Sequence, residues 1–416
     1  MNKSSKDWRQ RYYRWLLLFG VWLLYAAFGL VVTSLAPLVG LIESDLSLSH
    51  VEMGTIMGAW QLVFIVSAIP CGILLDRLGP RWALAIGGIF IAASVFARGM
   101  ADSFPQLILA VMLFGVGGPI ISAGAPKVVT QWFTGSSRGL AMGIYMTGPA
   151  VGGLISLTMT HSLLLPALDH EWRNVMFLWA SVSAACALLW VVISASSAMS
   201  HKEDLRTSQT SITQSQVLKL LIKQPSVILV LLMGVGVFLF NHGLSNWLPE
   251  LLKNGGMTLT EAGYWAAIPT IVGLIGSLLI PRFATPERRF HILIFLSLTA
   301  AAASILLHFD YEPLLFTGLF LQGIARSALM TVLVLTLVEL PGLEERHIGV
   351  ATGLFFSAAE VGGVLGPLSL GLLYDVSHDF SFGLYLLTVV AIAITIGTLK
   401  LKSLAEANNQ LSQLKS

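Results

Sequence analysis

The chain has 416 residues, of which 55% are hydrophobic and 11% charged, with a formal net charge of +2. A soluble domain carries about 25% charged residues, and a mean hydropathy of +0.79 leaves too few polar helix faces for a large soluble fold. Basic residues spread over short loops exclude a nucleic-acid surface.

Apolar runs of membrane-crossing length recur near residues 14–41, 51–75, 81–100, 105–132, 138–165, 173–195, 226–252, 260–282, 290–308, 313–340, 347–374 and 380–402. They are numbered here as segments 1 to 12. Segment 1 follows a basic tail (Lys3, Lys6, Arg9, Arg11, Arg14) that is too short and too charged for a cleaved signal peptide and is expected to orient the segment. Basic residues recur in every second loop, at Arg77, Arg81, Arg138, Lys202, Arg282, Arg288 and Arg346. The other loops carry acids such as Asp45, Asp102, Asp310 and Asp375. The positive-inside rule therefore predicts that both termini are cytoplasmic. Cys71 and Cys186 fall inside apolar segments and read as small core residues.

Tyr25 in segment 1, Gln61 in segment 2 and Tyr145 in segment 5 are candidate neutral contacts for a solute, or packing residues. Segments 2 and 3 are joined by the charged, glycine-punctuated run Gly72-Ile73-Leu74-Leu75-Asp76-Arg77-Leu78-Gly79-Pro80-Arg81. In segment 4, Lys127 shares a stripe with Gly117, Gly124 and Gln131. It stands about 7.5 Å from the cytoplasmic end, so it either snorkels to the interface or attracts an anion. Segment 5 carries Gly148-Pro149-Ala150-Val151-Gly152-Gly153, in which proline kinks the helix and the glycines serve close packing or a hinge.

The polar stretch His201 to Gln216 is the candidate interdomain linker. It predicts bundles at 1–198 and 225–416 joined by a cytoplasmic linker at 199–224. A repeat supports the division: Gly143 to Gly153 in segment 5 aligns with Gly353 to Gly363 in segment 11, each preceded by an arginine, Arg138 and Arg346. Glu52-Met53-Gly54 matches Glu261-Ala262-Gly263 at the heads of segments 2 and 8. Duplicated halves are a usual transporter architecture.

The second half holds the intramembrane charges. Segment 7 supplies Asn241, His242, Ser245 and Asn246, where the histidine either titrates near neutral pH or only completes hydrogen bonds. Gln322 and Arg326 share one face of segment 10, and Glu360 lies mid-segment 11. A charge at the bilayer centre costs about 2.5–3.5 kcal/mol on insertion scales, so both charged residues should face the protein interior. They form either a structural salt bridge or a site for substrate and proton. No nucleotide-binding loop or metal-ligand spacing occurs, so the sequence predicts no enzyme, no cofactor and no metal site. It predicts transport energised by a gradient.

The run from Gly72 to Arg81 resembles the signature of the major facilitator superfamily, Gly-x-x-x-Asp-Arg/Lys-x-Gly-x-Arg/Lys, at Gly72, Asp76, Arg77, Gly79 and Arg81. The resemblance implies an all-α membrane protein of twelve transmembrane helices in two pseudo-symmetric six-helix bundles. It implies a cytoplasmic gate in which Asp76 latches onto the amino-terminus of segment 11 near His347. The corresponding loop of the second half, Pro281 to Arg289, keeps basic charge without the pattern. It also implies a cavity lined by segments 1, 4, 7 and 10, to which Lys127 and Arg326 would belong. The segment 5 motif is similar to one associated with proton-coupled antiporters, and the run Gly117 to Gly143 looks like the cyanate and nitroimidazole porter-like branch.

The resulting expectation is a monomeric secondary transporter of the cytoplasmic (inner) membrane, moving a small anionic solute together with protons by alternating access. Lys127 and Arg326 would attract the solute, and Glu360 would carry the proton or hold Arg326. Two alternatives remain. One is a proton-coupled drug or metabolite efflux antiporter, against which segment 1 has no core acid and Val111 stands where such exporters carry an arginine. The other is a transporter-like nutrient sensor, against which the tails are short.

Overall fold

The computed structural model describes residues 3–134, 136–195, 221–285, 287–340 and 348–413. Arg346, His347 and the His201 to Gln216 linker lie outside the described residues. Among those described there are helices and turns but no strand, as expected where no water can satisfy an exposed backbone. Segment 1 is the helix Lys3–Thr33, continued by a 3-10 turn, Ala36–Leu38, and a short helix, Val39–Leu46. Segments 4 to 6 are built on Phe104–Trp132, Ser136–Met159 and Trp172–Ile193. Segments 7 to 12 are Pro225–Asn254, Leu259–Leu279, Arg289–Leu306, Glu312–Val338, Ile348–Ser377 and Ser381–Gln413.

Segments 2 and 3 form one continuous helical stretch, His50–Gly99, of 50 residues. At 1.5 Å per residue it would be about 75 Å long, more than twice the hydrocarbon thickness of about 30 Å. It turns at Gly79, whose φ of 73° and ψ of 165° leave the helix. That backbone conformation is essentially restricted to glycine. The 11 candidate spans among the described residues thus contain twelve crossings.

The internal repeat is visible as contacts. Segment 2 begins with a capping box, in which Ser49 N donates to Glu52 Oε2 at 2.9 Å and Glu52 N to Ser49 Oγ at 3.3 Å. Segment 8 begins with the same device at Thr258 and Glu261. Segment 5 packs on segment 1 so closely that a Cβ at Gly152 would stand 1.9 Å from Ala26 O. Segment 11 packs on segment 7 in the same way, with a Cβ at Gly362 standing 1.9 Å from Val235 O. Small residues that let backbones touch are the usual adhesive where hydrophobic burial gives no drive between helices.

The described residues divide into two compact units, one within Met1–Leu48 and Ala59–Gln209, the other within Ser49–Gly58 and Thr210–Ser416. The start of segment 2 therefore belongs with the second unit. Asp375, near the end of segment 11, accepts hydrogen bonds from His50 N at 3.1 Å and Val51 N at 2.8 Å. A carboxylate there satisfies orphan amides and complements the helix dipole. Gly54 and Gly58 then lie against the backbone at Pro367 and Val364.

Candidate functional site

In the second unit, the helices of segments 7 and 10 pack together and bring polar side chains to mid-span. Arg326, midway along Glu312–Val338, is exposed. A guanidinium at that depth must face water rather than lipid. Its field acts on His242 of segment 7, whose ring lies 5.4 Å from that of Phe238. One turn before Arg326, Gln322 is 1% exposed, and its Oε1 is buried without a donor among the described residues. Asn241 Oδ1 is in the same condition. Leaving such an acceptor unsatisfied costs about 1–3 kcal/mol. Asn246 differs, because its Nδ2 donates to His242 O at 2.8 Å and closes a turn of its own helix.

Glu360 is 5% exposed, and its Oε2 has no donor among the described residues. Of the two sequence readings for Arg326 and Glu360, the structural salt bridge is not formed. Among the described residues neither takes part in an ion pair. Among the described residues Glu360 is thus a buried carboxyl and Arg326 an exposed cation, each without an ion-pair partner.

Mid-span of the first unit is aromatic. The rings of Tyr25 and Tyr145 are 5.6 Å apart, and Phe28 joins them to Phe114 and Trp60. Trp22 Nε1 donates to Thr147 Oγ1 at 2.9 Å, and Gln61 is fully buried beside Trp60 in sequence. Gly148 and Gly152 pack against the backbone of segment 1 around Ala26, while Gly153 meets Thr33. Pro149 sits against Gly29, where an added Cβ would come within 2.1 Å of Pro149 O. The motif is closely packed against segment 1.

The signature loop engages segment 4. Lys127 Nζ donates to Asp76 Oδ1 at 2.7 Å and to Leu75 O at 3.4 Å, so the lysine reaches toward the loop rather than toward mid-span. Arg81 O accepts from Trp190 Nε1 at 2.9 Å, and the Arg81 guanidinium lies 4.9 Å from the Trp82 ring centre. Arg77 is exposed, and a Cβ at Gly72 would meet nothing within 4 Å among the described residues. The latch expected at the head of segment 11, near His347, falls outside the described residues.

Two features escaped the sequence reading. Arg98, 1% exposed, donates from Nη1 to Val31 O at 3.0 Å and Ser34 Oγ at 3.1 Å. It thereby caps the carbonyl end of the segment 1 helix where that helix breaks. It stands one residue before Gly99 at the end of its helical stretch, a position that gives no sign of burial in the sequence. His50 is stacked on Tyr374 at 3.8 Å and on Trp247 at 5.1 Å between ring centres, with Nδ1 3.8 Å from Asp375 Oδ1. Its partners are about 200 and 325 positions away along the chain, so no local pattern announced it.

Residues 21–367 match the sequence model of the Major Facilitator Superfamily. A quinolone resistance transporter of Acinetobacter baumannii is 25% identical over 386 residues, covering 83% of this chain and 84% of that protein. A hexuronate transporter of Bacillus subtilis is 24% identical over 373 residues, with coverage of 83% and 84%. A nitrite extrusion protein of the same species is 25% identical over 361 residues, with coverage of 86% and 87%. In fold, the chain is similar to a crystal structure of a bacterial homologue of the human lysosomal transporter Spinster, in an inward-facing and occupied conformation. The TM-score is 0.70 at 17% identity, over 95% of this chain and 97% of that one.

Proposed function

This chain belongs to the major facilitator superfamily, and we propose that it is a secondary transporter moving a small anionic solute inward with protons. The observation that carries the reading is Arg326, an exposed cation at mid-span with no carboxylate beside it among the described residues. A cation at that depth needs a counter-charge, and the transported anion supplies it. Relatives named for hexuronate and nitrite are consistent with that chemistry.

Glu360 takes the proton in this scheme. An ionised carboxylate with neither donor nor cation nearby would carry the full cost of an unpaired buried charge. Protonation removes that cost, and release of the proton on the other face restores it, which makes the residue a natural coupling site. Tyr25, Tyr145 and Gln61 are the first unit's candidate neutral contacts for the solute. Lys127 serves the signature loop through Asp76, with that loop on the cytoplasmic face of the inner membrane. The match is to the superfamily as a whole and assigns no branch.

The test is uptake of a labelled carboxylate panel into proteoliposomes under an imposed pH gradient. Arg326→Ala should abolish anion uptake. Glu360→Gln should remove its dependence on the gradient while anion exchange persists. Normal uptake by Arg326→Ala would end the anion reading. The quinolone-resistance relative supports a second reading, proton-driven export. Broad resistance conferred on an efflux-deficient host, without anion uptake in vesicles, would favour it.

A further inference from the structure

We propose that a furrow between segments 3 and 6 of the first unit holds one acyl chain of an anionic phospholipid, whose phosphate lies at Arg81. The furrow belongs to the first unit and Arg326 to the second, so nothing in the proposal depends on the transported solute.

Segment 3 lines the furrow from Ala85 to Phe96 and segment 6 from Ala180 to Val191, around a space of about 470 Å³. The lining residues recur at three-four spacing, so each set is one face of its helix. Ile89, Phe96 and Leu188 are exposed, and apolar side chains exposed within a span meet lipid tails of their own polarity. Short side chains at Ala92, Ala93 and Ala184 keep the space open. The two helices touch where a Cβ at Gly88 would stand 2.8 Å from Ala187 Cβ. At the end away from the signature loop, the rings of Phe96 and Phe177 meet at 5.3 Å. Ser181 in the lining already donates its hydroxyl to Phe177 O at 2.9 Å.

Size decides the occupant. Each wall advances eleven residues, about 16 Å of helix, which is roughly half the hydrocarbon thickness of about 30 Å. The volume spread over that length gives a cross-section of roughly 29 Å². A helix with its side chains is about 10–12 Å across, or roughly 80–110 Å². The furrow is too narrow for a helix of a second copy and suits one hydrocarbon chain crossing one leaflet. Left empty, it would forfeit the dispersion contacts of its walls.

The signature-loop end supplies the charge. Arg81 stands one turn before Ala85 on the same helix face, and Trp190 of segment 6 bonds to its carbonyl. Trp82 is exposed there, an amphipathic ring of the kind found at headgroup level. Arg77 is exposed in the adjoining loop. Asp76 is engaged by Lys127, and among the described residues neither arginine has a carboxylate partner. A guanidinium matches a phosphate, and basic sites between membrane helices bind anionic head groups. Phosphatidylcholine carries the same phosphate but adds a cation, which two arginines disfavour.

Native mass spectrometry tests the proposal on the purified full-length protein, released from micelles holding equal amounts of palmitoyl-oleoyl phosphatidylglycerol and phosphatidylcholine. Wild type should retain one phosphatidylglycerol with about ten-fold preference, equivalent to about 1.4 kcal/mol. Ala93→Leu and, separately, Ala184→Leu add bulk at exposed lining positions and should each cut retention about ten-fold. Ala185→Leu, exposed but outside the lining, should match wild type. Arg81→Gln should bring the ratio of the two lipids toward one. Two filling variants guard against one that fails to fold, and the wild-type ratio is read without either. Retention of neither lipid, or wild-type retention by both filling variants, overturns the furrow as a lipid site. Equal retention of the two lipids by wild type overturns the anionic head group. Dimers in place of bound lipid, lost in Ala184→Leu, would make the furrow an interface between copies and overturn the proposal.

Discussion

Replacing Gly362 by alanine is the sharpest test of how the bundles are held together. The added methyl carbon would stand 1.9 Å from Val235 O and 2.9 Å from Leu239 N. An ordinary carbon–oxygen contact is about 3.3 Å or longer, so the helices must part by roughly 1.4 Å. Both obstructing atoms are backbone, and no rotamer change can relieve the clash. Overpacking of this kind costs about 1–3 kcal/mol, and the constrained geometry argues for the upper end. Alanine's better helix propensity returns about 0.8–1.0 kcal/mol, leaving a net loss of about 2 kcal/mol. For a unit of some 200 residues that is roughly 4–8 °C in melting temperature. The duplicated architecture predicts the same penalty for Gly152→Ala, whose methyl would stand 1.9 Å from Ala26 O. Gly353→Ala and Gly139→Ala are the controls, because no heavy atom of the described residues lies within 4 Å of either added Cβ. Both should melt at or slightly above wild type. Tryptophan-fluorescence melts in detergent measure all four. If Gly362→Ala melts with its controls, the backbone-to-backbone contact between segments 7 and 11 is wrong.

Two further pairs of substitutions probe the signature loop and the start of segment 2. Gly79→Ala places a side chain at φ 73° and ψ 165°, a strain of about 1–3 kcal/mol. It should lower the melting temperature, whereas Gly72→Ala, with open space around it, should not; equal melts would refute the turn. Asp375→Ala removes the acceptor for two amides at the head of segment 2 and should cost about 0.5–2 kcal/mol. Asp375→Asn should fall between it and wild type in the same melt, and an Asn variant as unstable as Ala would argue against capping.

The signature loop shows how far spacing reaches. Its glycines and charges marked a tight turn between two spans, and Gly79 is where the backbone departs from the helix. The pairing of Asp76 with Lys127 was not legible, because it joins residues 51 positions apart on different helices. In the repeat, the matching Glu52 and Glu261 were readable as letters, and their shared role as capping boxes follows from local hydrogen bonds. Arg326 and Glu360 stood out as intramembrane charges, yet sequence alone left open whether they pair. Arg98 was passed over because proximity to a helix end is the ordinary place for an arginine, and only its burial reveals a cap.

The sequence by itself determined that this chain is a bundle of membrane-crossing helices with duplicated halves. Length, apolarity and small-residue spacing act locally, and the bilayer leaves the backbone almost no alternative to the helix. Tertiary structure alone decided that Lys127 serves Asp76 and that Arg326 and Glu360 stand apart. It also decided that segment 2 begins in the second unit. Each depends on which faces of different helices meet, and no local sequence pattern sets that.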